Sequence, residues 1–262
     1  MSAYILQGEA ELERLNEQSQ MESYSLEKEL SKVNLKRYQK ILDAGCGSGV
    51  FAEYVLERKI GNVQIDGCDI SKLNVDYLNL KYAQQKFINF FDADLVNDAP
   101  RENHYDFVFN RLVLHHLSRA SCIQFLENCK KSLNSNGEIL IVDLDGLFMN
   151  MGTINEVLMN SMNKVKNAFS GDLNNFRYVP KMLENLGFKR IETCIEVVDF
   201  QGEERKREIL QWRDRFESSL EFYKNVFGGE LLARQFFREY IRELEEGAPF
   251  FYNKFIIHAK LY

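Results

Sequence analysis

The chain has 262 residues, 45% of them hydrophobic and 27% charged, which is the balance of a folded domain large enough to bury a core. Its formal net charge of −6 disfavours a nucleic-acid partner, because phosphate contacts need a basic surface. No apolar run reaches the roughly 18 residues of a membrane span, and Met1 to Glu29 lacks a signal-peptide pattern, so a cytoplasmic protein without membrane contact is expected.

Residues 9 to 35 read as helical, with Leu26, Leu30 and Val33 on one face. Ile41-Leu42-Asp43 reads as a short buried strand and Ser48 to Arg58 as a helix. Val63 to Asp69 is a second strand, followed by a helix with Ser71 at its N-cap position. Phe87 to Phe91 and Tyr105 to Asn110 are a third and a fourth strand. Ser118 to Leu133 is a helix that stops near Asn136-Gly137, and Glu138 to Val142 is a fifth strand. This alternation implies a parallel, doubly wound α/β sheet whose ligand site lies at the carboxyl ends of the strands, where the strand order reverses.

Beyond residue 144 the rhythm changes. Residues 147 to 186 read as largely helical and carry Met149, Met151, Met159 and Met162. Arg190 to Phe200 and Asn253 to Tyr262 alternate like strands, separated by a helical insertion over about 203–246. With no linker in between, residues 1–262 read as a single domain. Its core spans about 38–145, its edge strands about 188–200 and 253–262, and its helical cap about 1–36, 147–186 and 203–246. The charged stretch Glu203 to Arg215 mixes both signs and reads as a solvated helix face. The five cysteines, Cys46, Cys68, Cys122, Cys129 and Cys194, have neither paired nor zinc-ligand spacing and read as reduced thiols.

The segment Ile41-Leu42-Asp43-Ala44-Gly45-Cys46-Gly47-Ser48-Gly49 carries the most chemistry. A strand ends in an acid, and a glycine turn then opens a helix whose free N–H groups suit an anion. A dinucleotide fingerprint would have glycine where Val50 stands, and Asp43 beside a pyrophosphate would be costly. A ligand with both an α-carboxylate and an α-ammonium fits the acid and the turn together. Asp69 ends the second strand, where Rossmann-like sheets place an acceptor for ribose hydroxyls. In Phe90-Phe91-Asp92-Ala93-Asp94-Leu95, Asp94 and Leu95 could meet an adenine, with Asp92 as a rival.

Together ILDAGCGSG at 41–49, Asp69, ADL at 93–95 and YDFVFNRLVLHHL at 105–117 resemble the class I S-adenosylmethionine-dependent methyltransferases, in particular the ubiquinone/menaquinone-type or methyltransferase 11/25-like small-molecule branch. Tyr4-Ile5-Leu6-Gln7-Gly8 and Phe176-Arg177-Tyr178-Val179-Pro180 extend the likeness outward. The resemblance implies a Rossmann-like, seven-stranded sheet of order 3-2-1-4-5-7-6 with the last strand antiparallel. It implies S-adenosyl-L-methionine as methyl donor, leaving S-adenosyl-L-homocysteine. Asp43, Gly45, Cys46 and Gly47 would hold the methionine part, Asp69 and Ile70 the ribose, Asp94 and Leu95 the adenine, and Asn110 and Arg111 the sulfonium region.

Methyl transfer from a sulfonium mainly needs alignment, exclusion of water and, for a weakly acidic acceptor, a base. His115 and His116 are base candidates, against the strong alternative that the pair only packs or hydrogen-bonds at the helix start; Tyr4 is a further pocket candidate. Arg177 could clamp an anionic group, and Met149 and Tyr252 could face the substrate. No metal site is expected; Asp143 and Asp145 are the only hint of one and read as structural or pocket-lining. The expected function is methyl transfer to O, N or C of a small, partly apolar metabolite, in a protein compatible with a homodimer. The rivals are a protein or RNA substrate, a cofactor-binding homologue without turnover, and an enzyme that uses the sulfonium only structurally.

Overall fold

The computed structural model describes residues 9–61 and 63–262. Seven strands form one sheet: β1 (Lys40–Ala44), β2 (Gln64–Asp69), β3 (Ile88–Asp92), β4 (Tyr105–Arg111), β5 (Leu133–Asp145), β6 (Lys189–Asp199) and β7 (Phe251–Lys260). Their order is β3-β2-β1-β4-β5-β7-β6, and β7 is antiparallel to both β5 and β6 while the other pairings are parallel. This is the expected topology. β1 lies between β2 and β4, so the strand order reverses there, at the place where open α/β sheets bind ligands beyond the carboxyl ends of their strands.

The helices in chain order are α1 (Glu9–Ser19), α2 (Leu26–Glu29), α3 (Val50–Glu57), α4 (Lys72–Lys81), α5 (Arg119–Ser132), α6 (Glu156–Ala168), α7 (Val179–Asn185), α8 (Gly202–Ser218), α9 (Leu220–Phe227) and α10 (Glu230–Glu245). Several start where a side chain caps a free N–H. Ser71 accepts from Asn74, Ser118 from Ser121 and Asn155 from Leu158.

Strand alternation divides the interior. Ile41, Leu140 and Val142 face a core shared with Phe51 and Val55 of α3 and Leu78 of α4. Leu42, Ile139 and Ile141 face the other, with Phe125 of α5 and Leu183 of α7. A third core stands over the carboxyl ends of the strands, built from Leu144, Phe148, Trp212, Phe216, Phe236 and Tyr240. Fully burying side chains of this size contributes about 1.5–3 kcal/mol each, so the cap has a hydrophobic core of its own.

Three elements differ from the sequence reading. The helix expected over 9–35 is broken, because Ser25 is extended and the carbonyls of Ser23 and Tyr24 are taken by Lys254 and Arg111 instead of a helical ladder. β5 begins at Leu133 rather than Glu138: Leu133 pairs with Tyr105, and an irregularity in the β4 pairing carries the strand through Asn136-Gly137. The stretch Glu203 to Arg215 is only half a solvated face. Glu208, Gln211 and Arg215 turn inward beside Ile209, Trp212 and Phe216, because the third core lies under that side of α8.

Candidate active site

The glycine turn sits between β1 and α3. Gly45 has φ of 85°, and a Cβ there would lie 2.5 Å from Val113 Cγ2, so neither the backbone angle nor the space admits a side chain. The N–H groups of Gly45 and Cys46 both donate to the Cys68 carbonyl at 2.9 Å, fastening the turn to the end of β2. The Cys46 side chain is buried in the core with α3. Gly47 N–H donates to Asp69 Oδ2 at 2.9 Å and Ser71 N–H to Oδ1 at 2.8 Å, so the Asp69 carboxylate is aimed by two backbone donors. Leu15 of α1 lies over Gly47, 3.6 Å from where its Cβ would be.

Asp43 is 3% exposed, and burial, with the Asp69 charge adding and Arg111 opposing, pushes its carboxyl up to about 8. Asn110 stands beside Ala44 in the register and donates Nδ2 to the Ala44 carbonyl at 2.7 Å. Its buried Oδ1 has no hydrogen-bond partner, and neither has buried Ser48 Oγ in the same turn. A protonated acid and a partnerless acceptor at one strand junction are what an incoming ammonium group would satisfy.

The remaining candidates on this side are placed less uniformly. Ile70 is 60% exposed just past Asp69. Asp94 is half-buried and holds its own turn, accepting from Val96 N–H and Asn97 Nδ2. Leu95 is buried in the core with α5. Arg111 is held by the amino-terminal segment: Nε donates to Glu29 Oε2 at 2.6 Å and Nη2 to the Tyr24 carbonyl at 2.7 Å. Lys254 meets the same carboxylate, Nζ to Glu29 Oε1 at 2.7 Å, and the Ser23 carbonyl at 2.6 Å. Burial alone would raise the Glu29 carboxyl; the two cations hold it below its ordinary value. Glu29 and Lys254 were invisible in the sequence because nothing distinguishes them from solvated charges.

After β4 the chain makes a single 3-10 turn, Leu114–His116. The buried Asp143 carboxylate anchors it, accepting from Leu114 N–H at 2.7 Å and from His115 N–H at 3.3 Å. Asp143 Oδ1 also lies 2.6 Å from His115 Nδ1. With Nδ1 donating to that carboxylate, Nε2 of neutral His115 carries the lone pair. His116 lies against His115, ring centroids 3.9 Å apart, and burial, then His115, Arg14 and Arg215, hold its imidazole well below the usual value. The turn is clamped from the other side by Asn175, whose Nδ2 donates to the carbonyls of Leu114 and Leu117. A Cβ at Gly171 would lie 2.4 Å from the His115 carbonyl, so the segment before Asn175 closes tightly on the turn.

Arg177, Met149 and Tyr252 are each engaged away from the histidine turn. Arg177 grips Asp145 with Nε at 3.0 and 2.9 Å and Nη2 at 2.6 Å. Met149 packs on the cap core, and Tyr252 is wholly buried there, donating to Glu208 Oε1 at 2.8 Å and accepting from Trp212 Nε1 at 2.9 Å. Tyr4 lies outside the described residues.

A seven-stranded sheet of this order, with β7 antiparallel, is the Rossmann-like fold of the class I methyltransferases. Residues 41–137 match the family described as "Methyltransferase domain". Phosphoethanolamine N-methyltransferase of Plasmodium falciparum is 29% identical over 114 residues, 44% of this chain and 42% of that protein. Malonyl-[acyl-carrier protein] O-methyltransferase 1 of Ilyobacter polytropus is 36% identical over 75 residues, 29% of this chain and 27% of that one. The chain thus spans less than half the length of these curated relatives. Among solved structures, Haemonchus contortus phosphoethanolamine N-methyltransferase 2, with phosphomonomethylethanolamine and S-adenosylhomocysteine, superposes with a TM-score of 0.56 at 19% identity. That superposition covers 91% of this chain and 53% of the other, a likeness of fold.

Proposed function

We propose that this chain is an S-adenosylmethionine-dependent methyltransferase that methylates O, N or C of a small, partly apolar metabolite. The observation that carries the reading is the link from Gly47 N–H to the Asp69 carboxylate, which sets the glycine turn and the ribose acceptor against each other at the switch point. In this reading Asp69 accepts ribose hydroxyls, and Asp43 with Asn110 Oδ1 takes the α-ammonium. The first N–H groups of α3 face the α-carboxylate. Asp94, Leu95 and Ile70 border the adenosine end. When bound, the donor supplies an electrophilic methyl on a positively charged sulfur.

The chain's own residues supply alignment, dryness and a proton acceptor. The carboxylate of Asp143 fixes the His115 tautomer, leaving Nε2 to take a proton from an acceptor hydroxyl or ammonium. Held neutral, His116 lines the same turn. Cap helices α1 and α8, with the third core behind them, keep water from the strand ends. That cover supports a small acceptor over an open groove for protein or RNA.

Calorimetric titration of S-adenosylmethionine and S-adenosylhomocysteine into wild type and Asp69→Ala tests the donor site. Expected is micromolar binding of both, weakened at least about a hundredfold in the variant, whose fold is checked by its melting transition. Folded wild type that binds neither ligand overturns the reading.

A further inference from the structure

β6 closes one end of the sheet. It is hydrogen-bonded to β7 alone, so among the described residues the N–H and C=O groups along its outer edge have no strand partner. Long edge strands are ordinarily blunted by charge, a bulge or a covering element. In β6 the irregularity is confined to one end: the register with β7 slips between Lys189 and Glu192, where Arg190 has a φ of 45°. From there residues 192–199 pair with β7 without a break, leaving a regular ladder whose other edge is open.

Along that ladder Thr193, Ile195 and Val197 lie on one face, opposite Ile257, Phe255 and Asn253 of β7. All three are exposed, Ile195 to 56% and Val197 to 66%. Three β-branched side chains in a row suit packing against a facing strand. Glu192, Cys194, Glu196 and Val198 occupy the other face.

The order of these residues selects what can pair with them. Two copies of one edge strand join antiparallel about a two-fold axis, and the central residue then fixes every cross-strand pair. Centred on Cys194, Glu192 would stand opposite Glu196 of the second copy, twice. Centred on Glu196, that carboxylate would meet its own copy. Both registers oppose like charges. A centre at Thr193 runs the pairing into the irregular end, and one at Val197 leaves residues 192–194 out of it. Centred on Ile195, no like charges are opposed: Ile195 meets Ile195, Thr193 meets Val197, Cys194 meets Glu196 and Glu192 meets Val198. This register also uses residues 192–198 in full.

We propose that β6 is a dimerisation edge, to which a second copy of this chain adds its own β6 antiparallel with Ile195 at the two-fold axis. Two seven-stranded sheets then become one. β6 stands four places from β1 in the sheet, roughly 19 Å at about 4.8 Å per strand, so the pairing leaves the glycine turn untouched. A single ladder is a small interface, and the dimer is therefore reversible. Each copy carries a net charge of −6, so salt screens their repulsion and tightens the pair.

Sedimentation velocity of the full chain, from micromolar to submillimolar concentration at low and moderate salt, tests this. Expected is a monomer–dimer equilibrium that moves toward dimer as salt rises. Ile195→Lys sets two cations against each other at the axis and should weaken the dimer at least about tenfold, while the melting transition of the dilute monomer stays in place. A second variant reads the register. In Cys194→Ser/Ile195→Cys the introduced thiols face each other, with Cα atoms about 4.5–5.5 Å apart, and should oxidise to a covalent dimer. In the unsubstituted chain Cys194 lies diagonal to its copy, about 7–8 Å away, and should not. Protein that stays monomeric at the highest concentration overturns the proposal and leaves the edge to a strand of another sequence. A dimer undiminished by Ile195→Lys overturns it as well, as does one that cross-links through Cys194 but not through position 195.

Discussion

The two sides of the proposed site, donor and acceptor, are built by different physics. The donor side is backbone: a turn with positive φ at Gly45, N–H groups aimed at Asp69, and strand ends in parallel register. The acceptor side is side chain: Asp143 on His115, and the Glu29 carboxylate shared by Arg111 and Lys254. Backbone geometry is set locally by a few residues and changes little with the ligand. Side-chain networks depend on partners far along the chain, so they can be re-specified without touching the sheet.

The largest effect that would separate the two sides is expected for Glu29→Gln. It leaves Arg111 and Lys254 sharing a neutral amide, and breaking a buried pair costs about 3–5 kcal/mol. At about 2–4 °C per kcal/mol for a chain of this size, the melting temperature should fall by roughly 10 °C. A loss below a degree would mean the cap is held by its apolar core alone.

Asp143→Asn strikes the acceptor side without touching the donor cradle. The amide can no longer fix His115 as before, and turnover should drop about a hundredfold, or ~2.7 kcal/mol, with unchanged affinity for S-adenosylhomocysteine. Unchanged turnover at saturating acceptor would remove His115 as the base.

Gly45→Ala is the converse. Its Cβ would drive into Val113 at a positive φ, and affinity for the donor should fall about tenfold to a hundredfold while the His115 and His116 resonances stay in place. Movement of those resonances would show that the two sides are not separable.

The smallest effect is a proton. Below about pH 8 the raised Asp43 is largely protonated in the free protein, and a bound ammonium favours its carboxylate. Binding should therefore release close to one proton at pH 6–7, and affinity should climb with pH by at most about tenfold per unit until roughly pH 8. The same shift makes the unliganded fold lose stability as pH rises from about 4 toward 8, because the unfolded chain ionises Asp43 first. Binding enthalpies in buffers of different ionisation heat measure the release, and Asp43→Asn should abolish it.

This division also explains how far the sequence could be read. Asp43, the glycine turn and Asp69 stand out because each is tied to a strand end and a local backbone demand. The rhythm pointed to a doubly wound sheet, and its strand order came from the resemblance alone. The cap did not read out so well. Glu208, Gln211 and Arg215 carry the composition of a solvated helix, and only the third core beneath α8 turns them inward. Asp143 looked structural until the turn after β4 brought His115 onto it. The break between α1 and α2 depends on Lys254, more than 200 positions away.

That last contact bears on the order of assembly. Lys254 Nζ meets the Ser23 carbonyl across 231 positions and Glu29 across 225. During synthesis the strands that carry the glycine turn are made well before β7, so the sheet's first half can collapse while the amino-terminal cover has nothing to fasten it. The glycine turn can thus be in place before its amino-terminal cover is fastened. Contacts this far apart in sequence are costly to close early, so the cover is expected to fasten after the sheet's first half has formed.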